Sequence, residues 1–351
     1  MKARSFAAPA ADKPLKYYEF DRREPRGHDV ELQVLFCGVC HSDIHTARGD
    51  WGEVQYPCVP GHEIVGVVTR VGKNVTKFSP GDKVGVGCMV NSCGECDACN
   101  RGFENSCYQE TVWTYSSTDP IDGTDTKGGY STIMIAPEHF VLRLPDGIDI
   151  AHAAPLLCAG ITTYSPLRHW RVGPGMKVGI IGLGGLGHMG AKYAKAMGAE
   201  TWVITSSPDK ADAAMSYGAD GVIVSSDDTT MQSARNTFDF LLDTIPKAHD
   251  VTPYVELLGV HGTLCLVGPI EPMPGFHSGI VINGQKSIAG SGIGGIKETV
   301  EMLTYSAEHN IFPEIEVIDI HDINHAWDSL TSKQMAKRYV IDMTKSFSES
   351  K

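Results

Sequence analysis

The sequence has no stretch near the ~18 uninterrupted apolar residues that a membrane-spanning helix needs. Its most apolar segment, KVGIIGLGGLGHMGAKYAKAMG, is broken by glycines and lysines. The opening residues MKARSFAAPAADKPLKYYEF hold no apolar run of signal-peptide length. Membrane insertion and secretion are therefore not expected, which leaves a cytoplasmic chain. An excess of positive charge is also lacking: Lys plus Arg is 30 against 42 acids, a net charge of −12, and neither sign gathers into a block. A nucleic-acid partner, which calls for a basic stripe, is not expected either. Internal repeats and low-complexity tracts are missing too.

What is present is 351 residues, enough for roughly two domains. From about residue 30 to 145, β-rich runs alternate with turn signals (VELQVLFCG, IVGVVTRVG, GDKVGVGC, YSTIMIAPEHFVLRLP), as expected for a compact β-rich domain. From about 155 to 290 the pattern becomes strand, helix, strand: MKVGIIG, GGLGHMGAKYAKAMG, ETWVITS, PDKADAAMSYG, ADGVIVSS, FDFLLDTI, VTPYVELLG, HGTLCLVG, QKSIAGSGI. That alternation predicts βαβ units on a parallel sheet. A helix over KETVEMLTYSAEHN and a strand over KRYVIDM follow.

GLGGLG places Gly182, Gly184 and Gly187 in a G-x-G-x-x-G pattern, with Gly185 and Leu186 between, directly after an apolar strand and at the start of a helix. In that context the first glycine permits a tight turn and the second lets backbone approach a pyrophosphate. The third lets helix and strand pack closely, with phosphates at the helix N-terminus. An NAD site usually carries Asp or Glu about twenty residues on, at the end of the second strand. Here that strand ends VITSSPDK: Thr205, Ser206 and Ser207 offer neutral donors and Lys210 a positive charge. The preference is NADP(H); Asp209 and the absence of Arg keep NAD open.

The chain has ten cysteines, and without an export signal clustered thiols read as metal ligands or catalytic groups before disulfides. Cys93, Cys96, Cys99 and Cys107 fall within one short loop, enough to close a tetrahedral zinc shell and leave no open position. That makes a structural staple, although an iron–sulfur cluster also accepts four thiolates. Cys40 in GVCHSDIH, His62 and Glu63 in VPGHEIVG, and Cys158 in LLCAGITTYSPL are dispersed. Two thiolates and an imidazole would suit catalytic zinc with one position open, but spacing alone does not join them. Cys37, Cys58, Cys88 and Cys265 are expected in the core.

GVCHSDIH, VPGHEIVG, the four-cysteine loop, LLCAGITTYSPL and GLGGLGH, in that order, closely resemble the zinc-dependent medium-chain alcohol dehydrogenases. The wording is most similar to the cinnamyl alcohol dehydrogenase and NADPH-dependent aldehyde reductase branch. The resemblance implies an α/β chain: a β-rich GroES-like catalytic domain over 1–157 and 296–351, and a Rossmann doubly wound parallel-sheet domain over 158–295. It implies two Zn²⁺ per chain, a catalytic one on Cys40, His62 and Cys158 with Glu63 in attendance and a structural one on Cys93, Cys96, Cys99 and Cys107. It also implies a proton relay through Ser42 and His45, Asp43 orienting His62, and Arg338 at the cofactor pyrophosphate. Trp51, Trp113 and Gly292 fall where relatives line the substrate pocket. Gly292 replaces a bulky aromatic of the plant lignin enzymes, so a broad range of aromatic and medium aliphatic aldehydes is expected, in a homodimer. The alternatives are an NAD-dependent polyol or secondary-alcohol dehydrogenase and, outside catalysis, a dinucleotide-binding crystallin-like protein.

Overall fold

The computed structural model describes residues 1–268, 271–332 and 337–347. The chain forms two compact units, Met1–Cys158 with Gly294–Lys351, and Ala159–Ile293. Of the segment assigned above to the catalytic domain, 333–336 and 348–351 lie outside the described residues.

The first unit is built on a seven-stranded mixed sheet. Strand Asp29–Gly38 is its centre, flanked by Ile64–Val71 and Arg338–Asp342 and also paired with Ile133–Pro137. Lys83–Val86, Val141–Arg143 and Ile315–Ile318 complete it. Alternating Val, Leu and Ile turn one face inward, and Val30, Leu32, Ile64, Val84 and Ile341 are wholly buried in one core. The C-terminal strand Arg338–Asp342 pairs antiparallel with Asp29–Gly38, so the tail completes a sheet begun at the other end of the chain.

The second unit carries a six-stranded sheet, parallel throughout. Its spatial order is Gly221–Val224, Glu200–Thr205, Lys177–Ile181, Phe238–Asp243, Leu258–Leu266, Ser287–Gly290. Counted along the chain this is 3-2-1-4-5-6, the doubly wound order of dinucleotide-binding domains. Because both faces are covered, its central strands read as continuous apolar runs: Val178, Ile180, Ile181, Leu241 and Leu242 are fully buried.

One stretch departs from its expected element, and another has no expected element. VTPYVELLG is helical only over Thr252–Val255, and a strand has begun by Leu258. Residues 150–169 form helix Ile150–Pro155, a π-helical turn Leu156–Gly160 and helix Ile161–His169, with Pro155 and Pro166 inside. The prolines argue locally against helix, and the π turn carries Cys158.

Candidate active site

Cys40 is set by the start of helix His41–Arg48. It is the extended N-cap residue, and its backbone N–H donates to Asp43 Oδ2 at 3.0 Å. His62 and Glu63 lie just before strand Ile64–Val71. Gly38 makes room for Glu63: a Cβ there would meet Glu63 Oε2 at 1.8 Å. Cys158 sits on the π turn, a local widening frequent at functional sites. Together Cys40, His62, Glu63 and Cys158 present ligand atoms that all lie within 4.8 Å of one another, every one of the four buried. The two thiols are 3.8 Å apart.

His62 Nδ1 faces Asp43 Oδ1 at 3.0 Å, while its Nε2 and Glu63 Oε2 are buried with no hydrogen-bond partner. A buried polar atom left unmade costs about 1–3 kcal/mol. A buried cluster of two thiols, an imidazole and a carboxylate in which two polar atoms have no partner fits a metal ion, and thiolate, imidazole and carboxylate are zinc donors. The electrostatics agree with a shared charge. The Cys158 thiol holds Cys40 well below the usual thiol range and is itself pushed well above it by Cys40. Burial lifts Glu63 to about 7 against the pull of Arg338.

Arg338, assigned from resemblance to a pyrophosphate, is buried, and its guanidinium pairs with Glu63. Burial acts to lower its pKa, but Glu63 and the two thiols raise it above the ordinary value. Nothing in the sequence pointed to this ion pair, which joins residues 275 positions apart. Ser42 borders the cluster, with Oγ 3.6 Å from Cys40 Sγ. His45, one turn along the same helix, contacts Asp50 Oδ2 at 2.8 Å through Nδ1 and stacks on Trp51. Trp51 and Trp113 are 42% and 43% exposed, so neither is a packing residue of the core. Gly292 belongs to the other unit, and a Cβ there would meet nothing within 4 Å.

The second cluster is Cys93, Cys96, Cys99 and Cys107, also with all ligand atoms within 4.8 Å. Backbone amides turn inward on the sulfurs: Cys96 N donates to Cys93 Sγ at 3.3 Å and Tyr108 N to Cys96 Sγ at 3.4 Å. Desolvation raises Cys107, yet the amides of Cys93 and Gln109 outweigh it and hold the thiol at about 6. Four thiols with no fifth group leave no place for substrate. Cys37, Cys58 and Cys265 are buried, whereas Cys88 is only half-buried, its Sγ 3.7 Å from the Leu157 carbonyl.

In the second unit Gly182 ends strand Lys177–Ile181 with φ +87°, a left-handed conformation that favours glycine. A Cβ on Gly187 would lie 2.1 Å from the Gly182 carbonyl, whereas one on Gly184 would meet nothing within 4 Å. Gly185 and Leu186 complete the loop, with Leu186 as N-cap of helix Gly187–Ala196. Thr205 closes strand Glu200–Thr205 and accepts from Ser207 N at 3.2 Å, while Ser206 is exposed. Lys210 donates from Nζ to the Leu183 carbonyl at 3.1 Å, which brings its charge to the glycine loop. A backbone loop at a helix N-terminus with a cation beside it suits phosphate.

Residues 26–146 match the alcohol dehydrogenase GroES-like domain, and residues 185–308 match the zinc-binding dehydrogenase domain. Aldehyde reductase YahK of Escherichia coli is 47% identical over 97% of this chain and 98% of its own. A cinnamyl alcohol dehydrogenase of Sorghum bicolor superposes with a TM-score of 0.96 at 41% identity, with both chains fully covered. The cinnamyl alcohol dehydrogenase of Helicobacter pylori, solved with NADP(H), superposes with a TM-score of 0.93 at 42% identity over 99% of each chain.

Proposed function

The chain belongs to the zinc-binding, medium-chain alcohol dehydrogenases, and from that membership we propose that it interconverts aldehydes and alcohols with NADP(H), using one catalytic and one structural zinc. The observation that carries this is the buried, partnerless pair His62 Nε2 and Glu63 Oε2 beside the Cys40 and Cys158 thiols. A zinc held by Cys40, His62 and Cys158 supplies Lewis-acid polarisation of a carbonyl, and the nicotinamide supplies or takes the hydride. Glu63 is a further oxygen for the metal, with Arg338 setting its charge.

The chain's own groups manage the proton. A hydroxyl both donates and accepts, so Ser42 at the rim of the cluster can hand a proton on in either direction. His45 is half-exposed and is the exit toward water. We expect His45→Ala to slow alcohol oxidation by roughly 10²-fold near neutral pH, and less at alkaline pH where solvent takes the proton. A pH–rate profile parallel to that of the unaltered protein would remove His45 from the relay.

NADP(H) over NAD(H) rests on Thr205, Ser206, Ser207 and Lys210, which offer hydroxyls and an ammonium where a carboxylate would repel a 2′-phosphate. Thr205→Asp should lower kcat/KM for NADPH by roughly 10²-fold, since placing like charges together costs several kcal/mol, and raise it for NADH. Unchanged cofactor preference would contradict this placement of the phosphate. Trp51, Trp113 and Gly292 are proposed as pocket residues for aromatic and medium aliphatic aldehydes, with the small Gly292 broadening the range. A homodimer is proposed through strand Ser287–Gly290 at the edge of the six-stranded sheet. The same unit exposes Val260, Ile282 and Phe276 at 70%, 69% and 44%. Ten free cysteines fit a reducing cytoplasm; no described helix is long and apolar enough to cross a membrane.

A further inference from the structure

Asp43 is fully buried and takes four hydrogen bonds. Oδ1 accepts from His62 Nδ1 at 3.0 Å and from the Gly61 amide at 3.1 Å. Oδ2 accepts from the Cys40 amide at 3.0 Å and from the Tyr130 hydroxyl at 3.0 Å. Three of these donors belong to the two segments that carry metal ligands. The fourth comes from a separate strap, GGYS, that supplies no ligand.

The strap is held on both sides. Gly128 N, Gly129 N and Tyr130 N donate to the carbonyls of Val59, Gly61 and Pro60 at 2.7, 2.9 and 2.9 Å, lacing it to the backbone just before His62. The fit is close: a Cβ on Gly61 would lie 2.7 Å from the Tyr130 ring, and one on Gly128 would lie 2.2 Å from the Pro60 carbonyl. From the other side Arg22 grips the strap. Its guanidinium donates to the carbonyls of Ile133, Lys127 and Gly128 and to Ser131 Oγ at 2.9, 2.7, 3.1 and 3.0 Å. An arginine fork is planar and presents several donors in a fixed geometry, so it fixes several acceptors at once.

We propose that Tyr130 is a positioning residue for the catalytic metal, holding the Asp43 carboxylate in the one orientation that aims His62 Nε2 and Cys40 at the ion, with the Arg22-held strap as its mount. Without the Tyr130 hydroxyl, Oδ2 keeps only the Cys40 amide while Oδ1 keeps the Gly61 amide and His62, so the carboxylate is held by three partners instead of four and its orientation is less tightly fixed. The imidazole bound to Oδ1 is then directed less firmly. Partners of metal-bound histidines are typically worth 10–100-fold in metal affinity.

This inference rests on the zinc reading above, and the test separates the two. Zinc release from the holoenzyme to a chromogenic chelator is followed for the unaltered protein, Tyr130→Phe and Arg22→Lys, with zinc counted per chain beforehand. The expected result is release of one zinc at least about tenfold faster in Tyr130→Phe, with the zinc on Cys93, Cys96, Cys99 and Cys107 released at its original rate. Arg22→Lys should show the same selectivity at smaller size, and it decides the matter if Tyr130→Phe does not fold. Cobalt substituted at the catalytic position should show shifted visible d–d bands in Tyr130→Phe, which a general loss of stability would not produce. Equal acceleration of both zincs, or unchanged release and unchanged cobalt bands, overturns the proposal while leaving the two-zinc reading intact. An unaltered protein with no metal on Cys40, His62 and Cys158 overturns both.

Discussion

His62→Ala is expected to leave one zinc per chain instead of two and to lower kcat for aldehyde reduction by about 10³-fold. The size follows from what the metal contributes. Lewis-acid polarisation of a carbonyl is worth several kcal/mol, and ~4 kcal/mol corresponds to roughly three decades of rate. The substitution removes the imidazole whose Nε2 has no other partner, while Asp43 retains the amides of Cys40 and Gly61 and the Tyr130 hydroxyl. The fold is therefore expected to survive, and circular dichroism together with NADPH binding checks that it has. A variant that keeps two zincs and full turnover would show that the metal, or the chemistry, lies elsewhere.

Cys96→Ser is expected to act on stability rather than on chemistry. Between Cys93 and Cys107 the chain has only the short helical turns Asp97–Asn100 and Glu104–Ser106, and Ala98, Cys99 and Glu104 are its buried residues. So little apolar surface does not hold a loop of this length, and the metal must do so. Structural zinc contributes about 10–16 kcal/mol to the folding of small zinc domains. Even a loss of ~5 kcal/mol from a domain of this size lowers Tm by roughly 10 °C. The variant should bind one zinc, melt earlier, and retain kcat at low temperature. An unchanged Tm would make the four thiols dispensable.

These two clusters differ in how far they could be read in advance. Cys93, Cys96, Cys99 and Cys107 are neighbours in sequence, so their spacing encodes the shell directly. Gly182 and Gly187 were legible for a similar reason, since a left-handed turn and a helix start where any Cβ would fall 2.1 Å from a carbonyl oxygen are local demands that only glycine meets. Cys40 and Cys158 are 118 residues apart and meet only because the chain returns through the π turn Leu156–Gly160. That turn lies in a helical stretch whose two prolines hide it from local propensity. Spacing did not join the catalytic ligands; resemblance did. The contacts behind them were visible to neither, since resemblance named Arg338 only for the cofactor pyrophosphate. Arg338 folds onto Glu63 from the C-terminal strand, and Tyr130 reaches Asp43 from a strap to which no sequence motif gives a role. Their roles depend on side-chain direction in a finished core, which no pattern of residue types records.

The most direct test of the two-zinc, NADP(H) account is one set of initial rates. Reduction of cinnamaldehyde or benzaldehyde is measured with NADPH and with NADH, on a preparation whose zinc content per chain has been determined. The account predicts two zincs per chain and a clear preference for NADPH. Preference for NADH, or two zincs with no turnover on either cofactor, would contradict it.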